Sequence, residues 1–209
     1  LVLLGVMLLT DSLEFSVFPS LLLVTTLARL LTRNGNRVGA ILYNNRIERI
    51  IPPRGGRNQV LRLTLELLRK AKVSTRTMTD LGGLLDAGLN TCKRRSLVFL
   101  VSDFISKPGW QRPLSLLSRR HELIGIRLWD RREVELPNAG MIVVQDAETG
   151  EQLYVDTANP EFRHRFVKAA ERREAALKQD LKHAGVDLYG VSTEEDLLVA
   201  IVRMAVLRK

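Results

Sequence analysis

Asp103 stands where a carboxylate is well placed to do chemistry. It follows Ser102 directly after the apolar run Leu97–Val101, with the basic pair Arg94-Arg95 in front and Phe104 beyond. Such a run is short for a helix, is rich in β-formers, and reads as a strand buried on both faces. Ligands of open α/β sheets bind outside the carboxyl ends of the strands, so a hydroxyl and a carboxylate at that point form a candidate site. Two further oxygen-bearing points occupy comparable positions. Asp11 follows the apolar opening LVLLGVMLLT, and Thr79 closes a hydroxyl-rich loop, Ser74–Thr79, ahead of a helix. If the strands are neighbours, the three loops converge on one sheet edge. Two carboxylates with hydroxyls make a hard-oxygen site suited to Mg²⁺ or Mn²⁺. Plainer roles exist for each: Asp11 as a helix cap, Thr79 as an N-cap with Asp80 in the first turn, Asp103 as an acceptor for a backbone amide. Asp11 as the nucleophile of a phosphate-handling enzyme is a further reading, one that needs a second acid and a lysine nearby.

Strands and helices alternate along most of the chain. Strand-like segments are Val6–Thr10, Arg37–Tyr43, Arg46–Ile51, the run to Asp103, Glu122–Leu128 and Val186–Val191. Asn44-Asn45 is a tight hairpin turn, Pro52-Pro53 ends the second of its strands, and Met141–Gln145 with Gln152–Val155 forms another hairpin around DAETG. Helical periodicity covers Leu21–Thr32, Asn58–Lys70, Asp80–Asn90, Leu114–Arg120, the stretch opened by Asn159-Pro160-Glu161, and Leu197–Leu207. Ser192-Thr193-Glu194-Glu195 has the pattern of a capping box for the last helix. The alternation predicts a mainly parallel sheet covered by helices.

The chain has 209 residues, 45% hydrophobic and 26% charged, enough for one α/β domain with its own core. Its net charge of +9 points to an acidic partner, nucleic acid or anionic lipid. The single cysteine, Cys92, excludes an internal disulfide and a Cys-rich zinc site, and His121, His164 and His183 lack metal-ligand spacing. The apolar opening is too short to span a membrane and lacks the basic start of a signal peptide. No P-loop motif and no nucleophile elbow occurs, and Gly82-Gly83 makes no nucleotide-binding fingerprint. Arg54 and Arg57 around Gly55-Gly56 read as a solvated turn. Arg119, Arg120, Arg127, Arg131 and Arg132 are expected to line one rim, but few aromatics accompany them, so nucleic acid is not an expected partner.

Five segments, NRVGAILYNNRIERIIPPRGG, RRSLVFLVSDF, RRHELIGIRLWDRREVELPNAG, DAETGEQLYVDT and GVDLYGVSTEEDLLVAI, together resemble the bacterial domain of unknown function family fifty-eight. Members are von Willebrand factor A-like, and their genes are commonly found beside MoxR-type AAA+ ATPases. The resemblance implies a single α/β domain over residues 1–209: a mostly parallel central sheet between helical layers, with an added β-hairpin near residues 140–156. It also implies a metal-ion-dependent adhesion site built from Asp-x-Ser-x-Ser after the first strand, a Thr in the next active loop, and an Asp after the fourth strand. Asp103 matches the last element and Thr79 the second. The first departs from the pattern, because Asp11 is followed directly by Ser12-Leu13-Glu14-Phe15, with Ser16 an outside candidate for the second hydroxyl. The implied metal residues are therefore Asp11, Ser12, Thr79 and Asp103, holding Mg²⁺ or Mn²⁺ with one coordination position open to a carboxylate of the partner. The expected function is a protein-interaction module, not an enzyme, that works with a MoxR-type AAA+ ATPase in chaperone-like remodelling or cofactor insertion. A cytoplasmic location is expected, with an upstream anchor left open. The collapsed Asp11-Ser12 spacing favours the alternative of a metal-free scaffold of the same fold. The basic charge favours a nucleic-acid-binding domain as the other alternative.

Overall fold

The structure is a computed structural model, and it describes residues 3–9, 17–44, 46–71, 80–145 and 152–207. A six-stranded sheet runs through its centre in the order β3-β2-β1-β4-β5-β8. The strands are β1 (Leu3–Leu9), β2 (Arg37–Tyr43), β3 (Ile47–Arg54), β4 (Ser96–Ser102), β5 (Glu122–Trp129) and β8 (Asp187–Ser192). Every pair is parallel except β2–β3, whose hairpin makes β3 an antiparallel edge. The remaining strands, β6 (Met141–Gln145) and β7 (Gln152–Asp156), form a separate antiparallel pair.

Side-chain alternation along the strands builds two cores. One face sends Val38, Ala40 and Leu42 of β2, Phe99 and Val101 of β4, and Ile124, Ile126 and Leu128 of β5 against α1 (Val17–Arg33), α2 (Arg57–Ala71) and α6 (Leu197–Leu207). The other sends Ile41, Tyr43, Val98, Leu100 and Leu123 against α3 (Leu81–Thr91), α4 (Gln111–Arg120) and α5 (Pro160–His183). Burial on both faces is why β4 reads as an unbroken apolar run. The expected α/β architecture, a mostly parallel sheet between helical layers, is the one observed. The chain reverses after helix α1 at Gly35, whose φ of +77° is the left-handed value that lets the Gly35 and Asn36 amides bond back to Thr32 and Leu31. At Gly125 the sheet comes so close to α5 that a Cβ would sit 2.8 Å from Leu181 Cδ2.

Four expectations are corrected. Strand β3 does not stop at Pro52-Pro53 but continues to Arg54, because at an outer edge a proline forfeits no ladder bond and the register shift between Val38 and Ala40 absorbs the pair. The capping box at Ser192–Glu195 does not form. Ser192 ends β8, and the Thr193 amide bonds to Trp129 O while its hydroxyl donates to Asp130 at 2.8 Å, which holds the segment to the end of β5. The arginines do not share a rim: Arg119 and Arg120 end α4 and precede β5, whereas Arg131 and Arg132 follow it at the opposite end. Asp80 does not lie in the first turn of α3 behind a Thr79 cap; it is itself the cap, its carboxylate accepting from the Gly83 amide at 3.1 Å.

Candidate functional site

The sheet order places a topological switch point between β1 and β4. From β1 the chain goes outward to β2 and β3 on one side, and β4 and its successors build the other. The crevice outside the carboxyl ends of those two strands is the place where such sheets bind ligands. Leu8 of β1 pairs with Val101 of β4, and Leu9 with Tyr43 of β2, so these strands end at one rim. Asp103 sits there, one residue beyond Ser102. Of the other sequence candidates, Asp11, Ser12, Ser16 and Thr79 lie outside the described residues. The residue after Thr79, Asp80, is at this rim: the Leu81 amide donates to Ser106 Oγ at 2.8 Å, tying the start of α3 to the loop that carries Asp103.

Local bonds fix the Asp103 carboxylate. The Ile105 amide donates to Oδ1 at 3.0 Å and the Ser102 hydroxyl at 3.3 Å, while Ser102 Oγ accepts from the Phe104 amide at 2.8 Å. The tight reversal forces Phe104 to φ +61°, a conformation that costs a bulky side chain free energy and persists because the ring is buried near Trp110. Backbone strain of this kind concentrates at functional loops.

Burial pushes the Asp103 carboxyl up to about 6, against the downward pull of the Ile105 amide, the Ser102 hydroxyl and the Arg127 guanidinium. Arg127 lies across the sheet, its β5 position paired with Ser102. It forms ion pairs with Glu174 of α5 and, at 3.8 Å, with Glu133 of the 3-10 turn Arg131–Glu133. Burial, and then the nearby Asp103 charge, raises the Glu133 carboxyl above its ordinary value. Tyr43 flanks the other side, its hydroxyl against Gly83, where a Cβ would overlap it. Burial, then Asp80, then Asp86, raises that phenol.

Ser106, Glu133 and Glu174, which the sequence did not single out, join Asp103 and Arg127 at this rim. Among the described residues no three His, Cys, Asp or Glu side chains converge as metal ligands. The Asp103 carboxylate and the hydroxyls beside it are hard oxygen donors, which suit Mg²⁺ or Mn²⁺ and not zinc.

The fold resembles an aerotolerance-related membrane protein of Bacteroides fragilis, with a TM-score of 0.54, 11% identity, and coverage of 87% of this chain and 99% of that one. It also resembles the conserved hypothetical protein BatB of Bacteroides thetaiotaomicron, with a TM-score of 0.50, 11% identity, and coverage of 88% and 98%. An uncharacterized protein of Mycobacterium tuberculosis is 32% identical over 177 residues, 84% of this chain and 55% of that protein, so the chain spans about half the length of this relative. An uncharacterized protein of Mycobacterium avium is 35% identical over 161 residues, 76% of this chain and 94% of that one. Residues 20–176 match the family described as protein of unknown function DUF58. The chain belongs to the DUF58 family.

Proposed function

We propose that this protein is a metal-ion-dependent interaction module, not an enzyme, in which a hard divalent cation at the β1–β4 rim binds a carboxylate of a partner protein. The observation that carries the reading is Asp103 at the carboxyl end of β4, beside the switch point, on a loop bonded to the start of α3. A half-buried carboxylate with a raised proton affinity is costly to ionise, and a bound cation would restore its charge. In this reading Asp103 and Asp11 ligate directly or through water, and Ser12 and Thr79 complete the shell. The partner's carboxylate fills the open position, and the expected partner is a MoxR-type AAA+ ATPase engaged in chaperone-like remodelling or cofactor insertion. No helix among the described residues is long and apolar enough to cross a membrane. A cytoplasmic location belongs to the same proposal.

Calorimetric titration with Mg²⁺ and Mn²⁺ tests it, together with affinity for the ATPase in metal and in EDTA. The expected result is binding heat lost in Asp103→Ala, and partner affinity lost in EDTA. No heat in the wild-type protein overturns it.

One observation favours the metal-free scaffold. The Arg127 guanidinium already supplies positive charge to Asp103 from the neighbouring strand. In that case Arg127, not a divalent ion, neutralises the rim, and titration would give no heat.

A further inference from the structure

We propose that the outer face of α2 docks an acidic, leucine-bearing amphipathic helix of a partner protein. The segment that carries this helix is the basic part of the chain. Residues 17–71 hold ten Lys and Arg against two acids, a net +8 of the whole chain's +9, and the rest of the sequence carries +1. This segment comprises α1, the β2–β3 edge and α2.

Helix α2 has an inner side, where Gln59, Leu63 and Leu67 are buried, and an outer side that exposes Leu61 by 51%, Leu65 by 57% and Leu68 by 41%. These three stand at the i, i+4, i+7 spacing by which one helix anchors another. Leu61 and Leu65, with Asn58, Arg62, Glu66 and Arg69, line a shallow groove of about 300 Å³. A helix exposed to water should present polar residues on this side.

The arginines around the groove hold carboxylates, as their own neighbour demonstrates. Glu66 is paired with Arg49 at 3.3 Å and Arg69 at 3.9 Å, so the acid of this helix is already engaged and the groove remains cationic. Arg62 and Arg69 are seven residues apart, two turns, matching acids two turns apart on a facing helix. The helix is also firmly set: Gln59 Nε2 donates to Val38 O at 2.8 Å and Pro52 O at 3.0 Å at one end, and Arg49 holds Glu66 further along. Discrete aliphatic anchors between guanidinium groups, with no aromatic side chain on α2 for base stacking, favour a protein helix over nucleic acid. The groove between the leucines favours an inserted side chain over a bilayer. The docking needs no cation and is independent of the function proposed above.

The probe is a labelled 18-residue synthetic helix with Leu at heptad a and d positions and Glu flanking them, read by fluorescence anisotropy against the whole chain in EDTA. Binding is expected to weaken on the order of tenfold when the peptide's Glu become Gln, or its Leu become Ser, as hot-spot truncations do. Leu61→Ser with Leu65→Ser, and separately Arg62→Gln with Arg69→Gln, should weaken it similarly with the urea midpoint unchanged. The arginine pair should also flatten the salt dependence. If a double variant fails to fold, the single Arg62→Gln and Arg69→Gln proteins carry the test.

No peptide binding, or binding that both variant pairs leave intact, overturns the proposal. So does preferential binding of phosphatidylcholine–phosphatidylglycerol vesicles or of a single-stranded oligonucleotide through the same residues. Because EDTA is present throughout, failure here leaves the metal reading untouched, and loss of metal binding leaves this surface untouched.

Discussion

Replacing Asp103 by Asn should make the metal-free protein more stable at neutral pH, although it removes the residue on which function is proposed to rest. The carboxyl titrates at about 6 in the fold against an ordinary 3.8. A raised acid binds its proton more tightly folded than unfolded, so its contribution is fully present below the ordinary value and is lost as pH rises through the folded one. A difference of this size is worth at most about 3 kcal/mol at pH values above the folded titration. The Asp103→Asn side chain keeps the acceptor for the Ile105 amide and never ionises. Urea unfolding in EDTA, followed across the acid-to-neutral range, should show wild type losing stability as the pH rises and the Asn variant holding it. The two should be closest in acid and most separated under mildly alkaline conditions. Adding Mg²⁺ should then recover stability in wild type alone, by about 1.4 kcal/mol at tenfold excess over the dissociation constant. An Asn variant with a midpoint equal to or below wild type at mildly alkaline pH would show that burial of the charge is not costly here, and would refute the reasoning.

Other substitutions separate the elements that hold this rim. Arg127→Met removes the cation that Glu133 and Glu174 share, leaving Glu174 only Lys178, and should cost about 1–3 kcal/mol in chemical unfolding, a loss partly recovered by adding Glu174→Gln. Gly39→Ala should cost more than Gly125→Ala, about 3 against about 1 kcal/mol by the same assay. At Gly39 the new Cβ meets the rigid backbone of Ile51 O at 2.8 Å and Pro53 N at 3.0 Å, while at Gly125 it meets the movable tips of Leu181 and Leu188. His121 is buried, and burial and then Arg120 lower its proton affinity, so stability is lost as pH falls through the ordinary value of 6.5. His121→Leu should remove that loss, seen as a thermal midpoint that no longer drops on this account between neutral and mildly acidic pH.

What could be read from the sequence was what rests on local pattern. The run Leu97–Val101 announces a strand because both of its faces are covered, and Asp103 is legible as a site because it stands directly past such a run. Asn159-Pro160-Glu161 gives the start of α5 because the cap bonds only to amides two and three residues on. Where tertiary position decides, local rules fail. A proline pair ends a central strand but is harmless on an outer edge, and nothing in PPRGG says that β3 is an edge. The Ser192–Glu195 pattern would cap a helix in isolation, yet Trp129 and Asp130, more than sixty residues away, claim the same segment. Phe104 is a residue type that avoids left-handed backbone, so its conformation follows from the Ser102 and Asp103 bonds and not from its own identity.

The Asp103–Arg127–Glu174 linkage is of the same kind. Its members are separated by whole helices, and no spacing in the sequence brings them together; only the parallel pairing of β4 with β5 and the close approach of α5 at Gly125 do so. That linkage gives the candidate site its physical character. The carboxylate nearest the switch point is costly to ionise when bare, is partly compensated by an arginine that two other acids also claim, and is held on a strained loop. A cation placed beside Asp103 would offset that cost of ionisation, which is the physical argument for the metal proposed above.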